Sequence, residues 1–174
     1  MSNVVAKDDE IKLENNRYLV SETDANGVIT YCNDYFTQIS GYTREELLGQ
    51  QHNIIRHPDM PKVIFKLLWE RIQSGKNINA IVKNLAKDGR YYWIFTEFKT
   101  RVDLDTNDII GYTAHRKTIS HDAVEVISEL YAKLKEIEEK EDMDAAEKYL
   151  NEYLQTKDKK INFVNLLDHI HKFY

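Results

Sequence analysis

Hydrophobic and polar positions change period several times along the chain, and the changes divide it into elements. Residues 18–24 and 28–32 carry aliphatic and aromatic side chains on either side of Asn26-Gly27. That is the pattern of a β-hairpin whose two turn residues tolerate positive φ. Residues 33–40 follow a helical period with Phe36 and Ile39 inward, closed by Gly41. Thr43-Arg44-Glu45-Glu46 has capping-box spacing and opens a second short helix ended by Gly49. Residues 50–60 show no period. Val63, Ile64, Leu67, Leu68 and Ile72 then recur at helical spacing, between Pro61 in a first helical turn and Ser74-Gly75 at the end. Three strands are predicted next, over residues 78–85, 90–102 and 109–119, with turns at Lys87-Asp88-Gly89-Arg90 and Asp105-Thr106-Asn107-Asp108. This order predicts an α+β fold, a five-stranded antiparallel sheet with short helices on one face.

Beyond residue 120 the period is helical throughout. Ala123, Ile127, Leu130, Leu134 and Ile137 form an a/d stripe flanked by Glu and Lys. The stripe suits two roles equally: packing back on the sheet, or a signalling helix that forms a homodimer through residues 121–140 or docks on a partner. Two further amphipathic helices, over residues 145–154 and 163–173, complete a helical hairpin or small bundle. The expected organisation is an N-terminal cap over residues 1–16, a mixed domain over 17–120 and a helical extension over 121–174.

Composition sharpens that division. The 174 residues hold 24 basic and 29 acidic side chains, a net charge of −5. Residues 1–120 carry 16 of each sign, so the whole excess lies in the extension. Such a balance argues against a sequence-tolerant nucleic-acid binder, which needs a basic face. The single cysteine, Cys32, allows no internal disulfide and suits a reducing compartment. No apolar run approaches the ~20 residues of a membrane span, and residues 1–14 do not read as a secretory signal. A cytoplasmic protein without direct membrane insertion is expected.

The order of two strands, short helices and three strands resembles a PAS domain. Asp24-Ala25-Asn26-Gly27-Val28-Ile29, Asn33-Asp34-Tyr35-Phe36 and Ser40-Gly41-Tyr42-Thr43-Arg44-Glu45-Glu46-Leu47-Leu48-Gly49 carry the general likeness. His52-Asn53-Ile54-Ile55-Arg56-His57-Pro58-Asp59-Met60-Pro61 and Ile81-Val82-Lys83-Asn84, with Tyr92-Trp93, narrow it. These segments are similar to the Aer-type PAS domains of the aerotaxis and energy-taxis receptor family, over about residues 17–119. The resemblance implies an FAD-binding redox sensor. Aer-type receptors carry a membrane anchor and output module on the same chain, and the sequence shows neither, so the resemblance implies a stand-alone, CetB-like partner of split systems, signalling to a separate membrane-bound methyl-accepting chemotaxis-type transducer.

Candidate site residues follow from chemistry and from that resemblance together. Pro58 and Pro61 fix two φ angles in the loop before a helix. Asp59 could accept N–H groups at the helix start, or pair with Arg56. Arg56 could equally be a forked donor to an anionic cofactor; the resemblance favours that reading and draws His57 and Asp59 into the site. Trp69 reads as core from its apolar neighbours, whereas the resemblance implies packing against the isoalloxazine rings. Asn84 ends a strand and can satisfy its turn, but its carboxamide offers the donor and acceptor that a flavin edge matches. Asn33 is either a helix N-cap or, by resemblance, a contributor to FAD binding. His52 and Asn53 lie in the loop expected to face the same cavity.

Two other cofactor chemistries occur on this kind of fold. Light-sensing LOV domains carry a reactive cysteine where this chain has His52, so flavin–thiol photochemistry is not expected. Haem requires an axial ligand, and six histidines are present, none on the long helix. His169 and His171, two apart, lack other ligands at metal spacing. No hydrolase, zincin, P-loop or dinucleotide fingerprint occurs, so the chain does not read as an enzyme. The alternatives to a flavin sensor are a haem-binding oxygen sensor and a cofactor-free interaction module.

Overall fold

The computed structural model describes residues 4–157 together with Phe163 and Leu166. Five antiparallel strands form one sheet in the order β2-β1-β5-β4-β3. The strands are β1 (Leu19–Asp24), β2 (Ile29–Cys32), β3 (Ile78–Leu85), β4 (Tyr91–Val102) and β5 (Ile109–Lys117). Between β2 and β3 lie α1 (Asp34–Ser40), α2 (Arg44–Leu47), a 3₁₀ turn (His52–Ile55) and α3 (Lys62–Gln73). After β5 come α4 (His121–Lys140) and α5 (Met143–Lys157). The helix expected over residues 163–173, with His169 and His171, lies outside the described residues except for Phe163 and Leu166, both helical.

Local chemistry explains the boundaries. In the first hairpin only Gly27 has positive φ, at +80°; Asn26 does not. The expected turn with both residues left-handed is therefore replaced. The Asp24 carboxylate accepts the amides of Asn26 (2.8 Å) and Val28 (3.0 Å), and the β1–β2 register shifts between Glu22 and Thr23. The Asx turn and bulge supply what a two-residue turn would have supplied. Asn33 caps α1 by accepting from Phe36 N. Thr43 and Glu46 form the reciprocal capping box of α2. Pro61 occupies the cap position of α3, one residue earlier than expected, and the helix starts at Lys62. Strand β4 begins one residue later than expected and β5 ends two residues sooner.

Val63, Ile64, Leu68 and Ile72 bury the inner face of α3, packed against β3 and β4. The N-terminal residues run beside the sheet. Lys7 N donates to Gly89 O (2.8 Å), Tyr91 N to Asp9 O (3.0 Å) and Ile11 N to Tyr91 O (2.7 Å).

The a/d stripe of α4 is consumed inside the chain. Ala123, Ile127, Leu130 and Leu134 are buried in the same apolar cluster as the sheet and α3. Within this chain the helix therefore packs back, and these four stripe residues are covered. Tyr131 Oη donates to the Ile81 carbonyl on the edge strand (2.8 Å). Ala146, Leu150 and Leu154 of α5 complete the layer. Among the described residues no helix is long and apolar enough to cross a membrane.

Candidate functional site

Between α3, the 3₁₀ turn and the inner face of the sheet lies a cavity of about 930 Å³, counting its open mouth. Three chemistries make up its wall. Phe65, Trp69 and Tyr112 supply aromatic surface, and Leu68, Ile72, Val82 and Ile94 aliphatic surface. Asn53, Asn84 and Thr96 supply neutral polar groups. His52, Arg56 and Arg116 bring nitrogen donors, and no carboxylate lines the cavity among the described residues.

Strand alternation places several of these groups. Val82 and Asn84 of β3 point inward, with Thr96 of β4 and Ala114 and Arg116 of β5. On β1, Ser21 and Thr23 do the same. Trp69 stands edge-on to Tyr112, with ring centroids 5.6 Å apart. Its indole passes so close to the first hairpin that a Cβ at Gly27 would lie 2.9 Å from it. Gly27 thus serves both the turn and the tryptophan.

Arg116 is the group that sequence reasoning missed. It is 2 % exposed and has no acidic partner among the described residues. Nη1 donates to Ser21 Oγ (3.0 Å) and Nη2 to His52 Nε2 (2.7 Å). Ser21 Oγ also lies 3.1 Å from His52 Nε2. The histidine is therefore neutral, with its proton on Nδ1. Burial first, and Arg116 second, push the His52 pKa down to about 3. Burial pushes the Arg116 pKa down to about 10. The signal for Arg116 was in β5, where Tyr112, Ala114 and Arg116 share one face.

The other candidates separate. His52, Asn53, Arg56, Trp69 and Asn84 meet on the cavity wall. Arg56 stacks on Phe65, 3.6 Å from its ring centre, with Nε buried and unpartnered. It does not pair with Asp59. Asp59 instead takes a hydrogen bond from Lys83 Nζ (2.9 Å) outside the cavity, and it does not cap α3. His57 is 3 % exposed, and its Nδ1 accepts from Asp59 N (3.1 Å). Burial, then Lys83, push its pKa down to about 4. The His57–Asp59 corner thus braces the loop behind Arg56 and does not line the cavity. Asn33 does not reach it either: Oδ1 accepts from Phe36 N and Val20 N, and Nδ2 donates to Tyr18 O. Cys32 is buried on β2, away from the wall. Among the described residues no group of three His, Cys, Asp or Glu side chains is placed to hold a metal ion.

Two orphaned polar atoms, Thr96 Oγ1 and Arg56 Nε, belong to residues of the wall. Buried polar atoms without partners are costly. A planar ligand with polar edges fits such a wall: aromatic and aliphatic surface for its faces, unspent donors and acceptors for its rim.

An antiparallel sheet in this order, with short helices over a cavity on one face, is the PAS fold. Residues 29–114 match the family model described as the PAS fold. The aerotaxis receptor of Escherichia coli is 40 % identical over 116 residues, 67 % of this chain and 22 % of that protein. The biofilm dispersion protein BdlA of Pseudomonas aeruginosa is 26 % identical over 114 residues, 64 % of this chain and 27 % of that protein. The chain spans about a quarter of the length of these curated relatives. Among solved structures, the light state of the blue-light photoreceptor Aureochrome1 LOV superposes with a TM-score of 0.56 at 21 % identity, covering 62 % of this chain and 86 % of that one. The PAS domain of the fruit-fly ELK potassium channel gives 0.53 at 20 %, covering 59 % and 87 %. These two likenesses concern the fold. The chain thus has the PAS fold, and over 116 residues it is similar in sequence to the aerotaxis receptor of Escherichia coli.

Proposed function

We propose that this chain is a cytoplasmic PAS redox sensor that binds FAD and serves energy taxis. It reports by protein contact to a separate membrane-bound chemotaxis transducer. One observation carries the reading: a cavity with aromatic faces, an unsatisfied polar rim and two guanidinium groups with no carboxylate. A bound flavin would supply reversible electron uptake. The residues of the chain do the rest. Trp69 and Phe65 would pack on flat heteroaromatic surface. Asn84 and Thr96 would meet its polar edge, and Arg56, held by Phe65, stands ready for a phosphate or carbonyl. Arg116 would stabilise added negative charge, and His52, neutral, keeps the guanidinium in place. The 40 % identity with an aerotaxis receptor supports the taxis assignment. His57, Asp59 and Asn33 act on the site through the loop and the β2–α1 junction. Residues 17–120 are the sensor and 121–174 the docking extension.

The haem alternative is disfavoured because His52, the cavity's histidine among the described residues, has its Nε2 taken by Arg116. The test is chromatography of the cofactor released on heating the purified protein. FAD is expected; FMN, haem or no chromophore contradicts the proposal.

A further inference from the structure

We propose that α4 and α5 form a latch on α3, and that closure of this latch is coupled to filling of the cavity. The proposal relies on the flavin reading only for the ligand used as probe.

Helix α3 cannot cap itself. Pro61 sits at its cap position and offers no side-chain acceptor, so the first amides need partners from elsewhere. They find one far along the chain. The Glu138 carboxylate, on α4, accepts from Lys62 N (2.9 Å) and Val63 N (2.7 Å). A carboxylate at this end also meets the positive pole of the helix. One turn further, Lys66 Nζ binds Glu147 of α5 (2.7 Å), with Asp144 at 3.8 Å. The first turns of α3 are thus held by charges from both C-terminal helices.

The same stretch of α3 builds the cavity. Phe65, Leu68 and Trp69 are on its wall, and Phe65 carries the Arg56 guanidinium. On the other side, Tyr131 of α4 holds the Ile81 carbonyl of β3, beside the wall residues Val82 and Asn84. Helix α4 therefore grips two elements, and both face the ligand space. A ligand that orders α3 and β3 lowers the cost of closing α4 on them. By linkage, the closed latch raises affinity for that ligand by the same factor. The Glu138 bonds are suited to this, since hydrogen bonds weaken steeply once alignment is lost.

The experiment uses the full chain with FAD as ligand. Glu138→Gln removes the charge and keeps the shape; Glu147→Gln breaks the second clip without touching the cap. FAD affinity is measured by fluorescence titration, and amide exchange is followed over residues 121–157 with and without FAD. FAD is expected to slow exchange in α4 and α5 by roughly fivefold or more. Each variant is expected to weaken FAD binding by roughly the factor by which its latch exchange rises, with the sheet still protected. Unchanged exchange of α4 and α5 in a chain that binds FAD overturns the latch, as does wild-type affinity in both variants. A wild-type chain that binds no FAD overturns the flavin reading and the latch's ligand together, a result distinct from the other two.

Discussion

Replacing Arg116 by methionine tests whether the cavity keeps a charge for its ligand. Burial moves this guanidinium from 12.5 to about 10. At ~1.4 kcal/mol per unit, holding it charged costs the empty protein roughly 3 kcal/mol. Methionine removes that cost and fills much of the same volume. It forfeits the bonds to Ser21 and His52, but those two groups, 3.1 Å apart, still have each other. The ligand-free variant should therefore gain about 1–2 kcal/mol, within the range seen when buried charges become apolar. For a chain of this size that is a rise in Tm of a few degrees, roughly 2–4 °C per kcal/mol. The flavin-loaded protein should respond in the opposite sense. Reduced flavin is the more electron-rich form, so loss of the cation disfavours it. A differential of ~1.4 kcal/mol lowers a two-electron midpoint potential by about 30 mV. The assays are thermal unfolding of the ligand-free protein and a reductive titration of the loaded one. A variant destabilised by more than ~1 kcal/mol, with an unchanged potential, would refute the reasoning and make Arg116 an ordinary part of the core.

Three further outcomes are expected. Trp69→Ala and Asn84→Ala should each bind flavin at least about tenfold more weakly, ~1.4 kcal/mol, while unfolding as cooperatively as wild type in urea; equal flavin retention contradicts the site. Gly27→Ala should cost roughly 1 kcal/mol from its φ of +80° and shift the indole that lies 2.9 Å from the added methyl. Its Trp fluorescence and flavin affinity should change together, and an unaltered spectrum would contradict the contact. The pH dependence follows from His57, which titrates at about 4 when folded and at 6.5 in the unfolded chain. The neutral form is favoured by folding, so stability is complete above 6.5 and falls as pH drops towards 4, by roughly 3 kcal/mol from this residue. His52 acts in the same direction. Urea midpoints at about pH 7 and about pH 4.5 should lie closer together in His57→Gln than in wild type, and an equal gap would remove His57 from the account.

What the sequence disclosed depended on how local each interaction is. The α2 capping box spans four residues and was legible at once, as were the strand pattern and the helical period of α3. Five of the eight candidate site residues meet on the cavity wall because strand and helix periods set their direction. Asp59 was less legible: from the loop alone, an ion pair with Arg56, a helix cap and a bond to Lys83 of β3 are equally available, and only the folded edge strand selects the last. Asn33 fits both a cap and a ligand contact, and the approach of Tyr18 and Val20 uses up its carboxamide. Arg116 was passed over because a charged residue near a strand end reads as surface; its inward face follows from Tyr112 and Ala114. The Glu138 cap has no local signature, since its donors lie 75 and 76 residues away.

The most direct test of the central claim is the visible absorption spectrum of the freshly purified full chain, before and after chemical reduction. The account predicts the bands of an oxidised flavin, bleached by reductant and restored by air, with circular dichroism unchanged. A Soret band, or a colourless protein whose stability does not respond to added FAD, would contradict it.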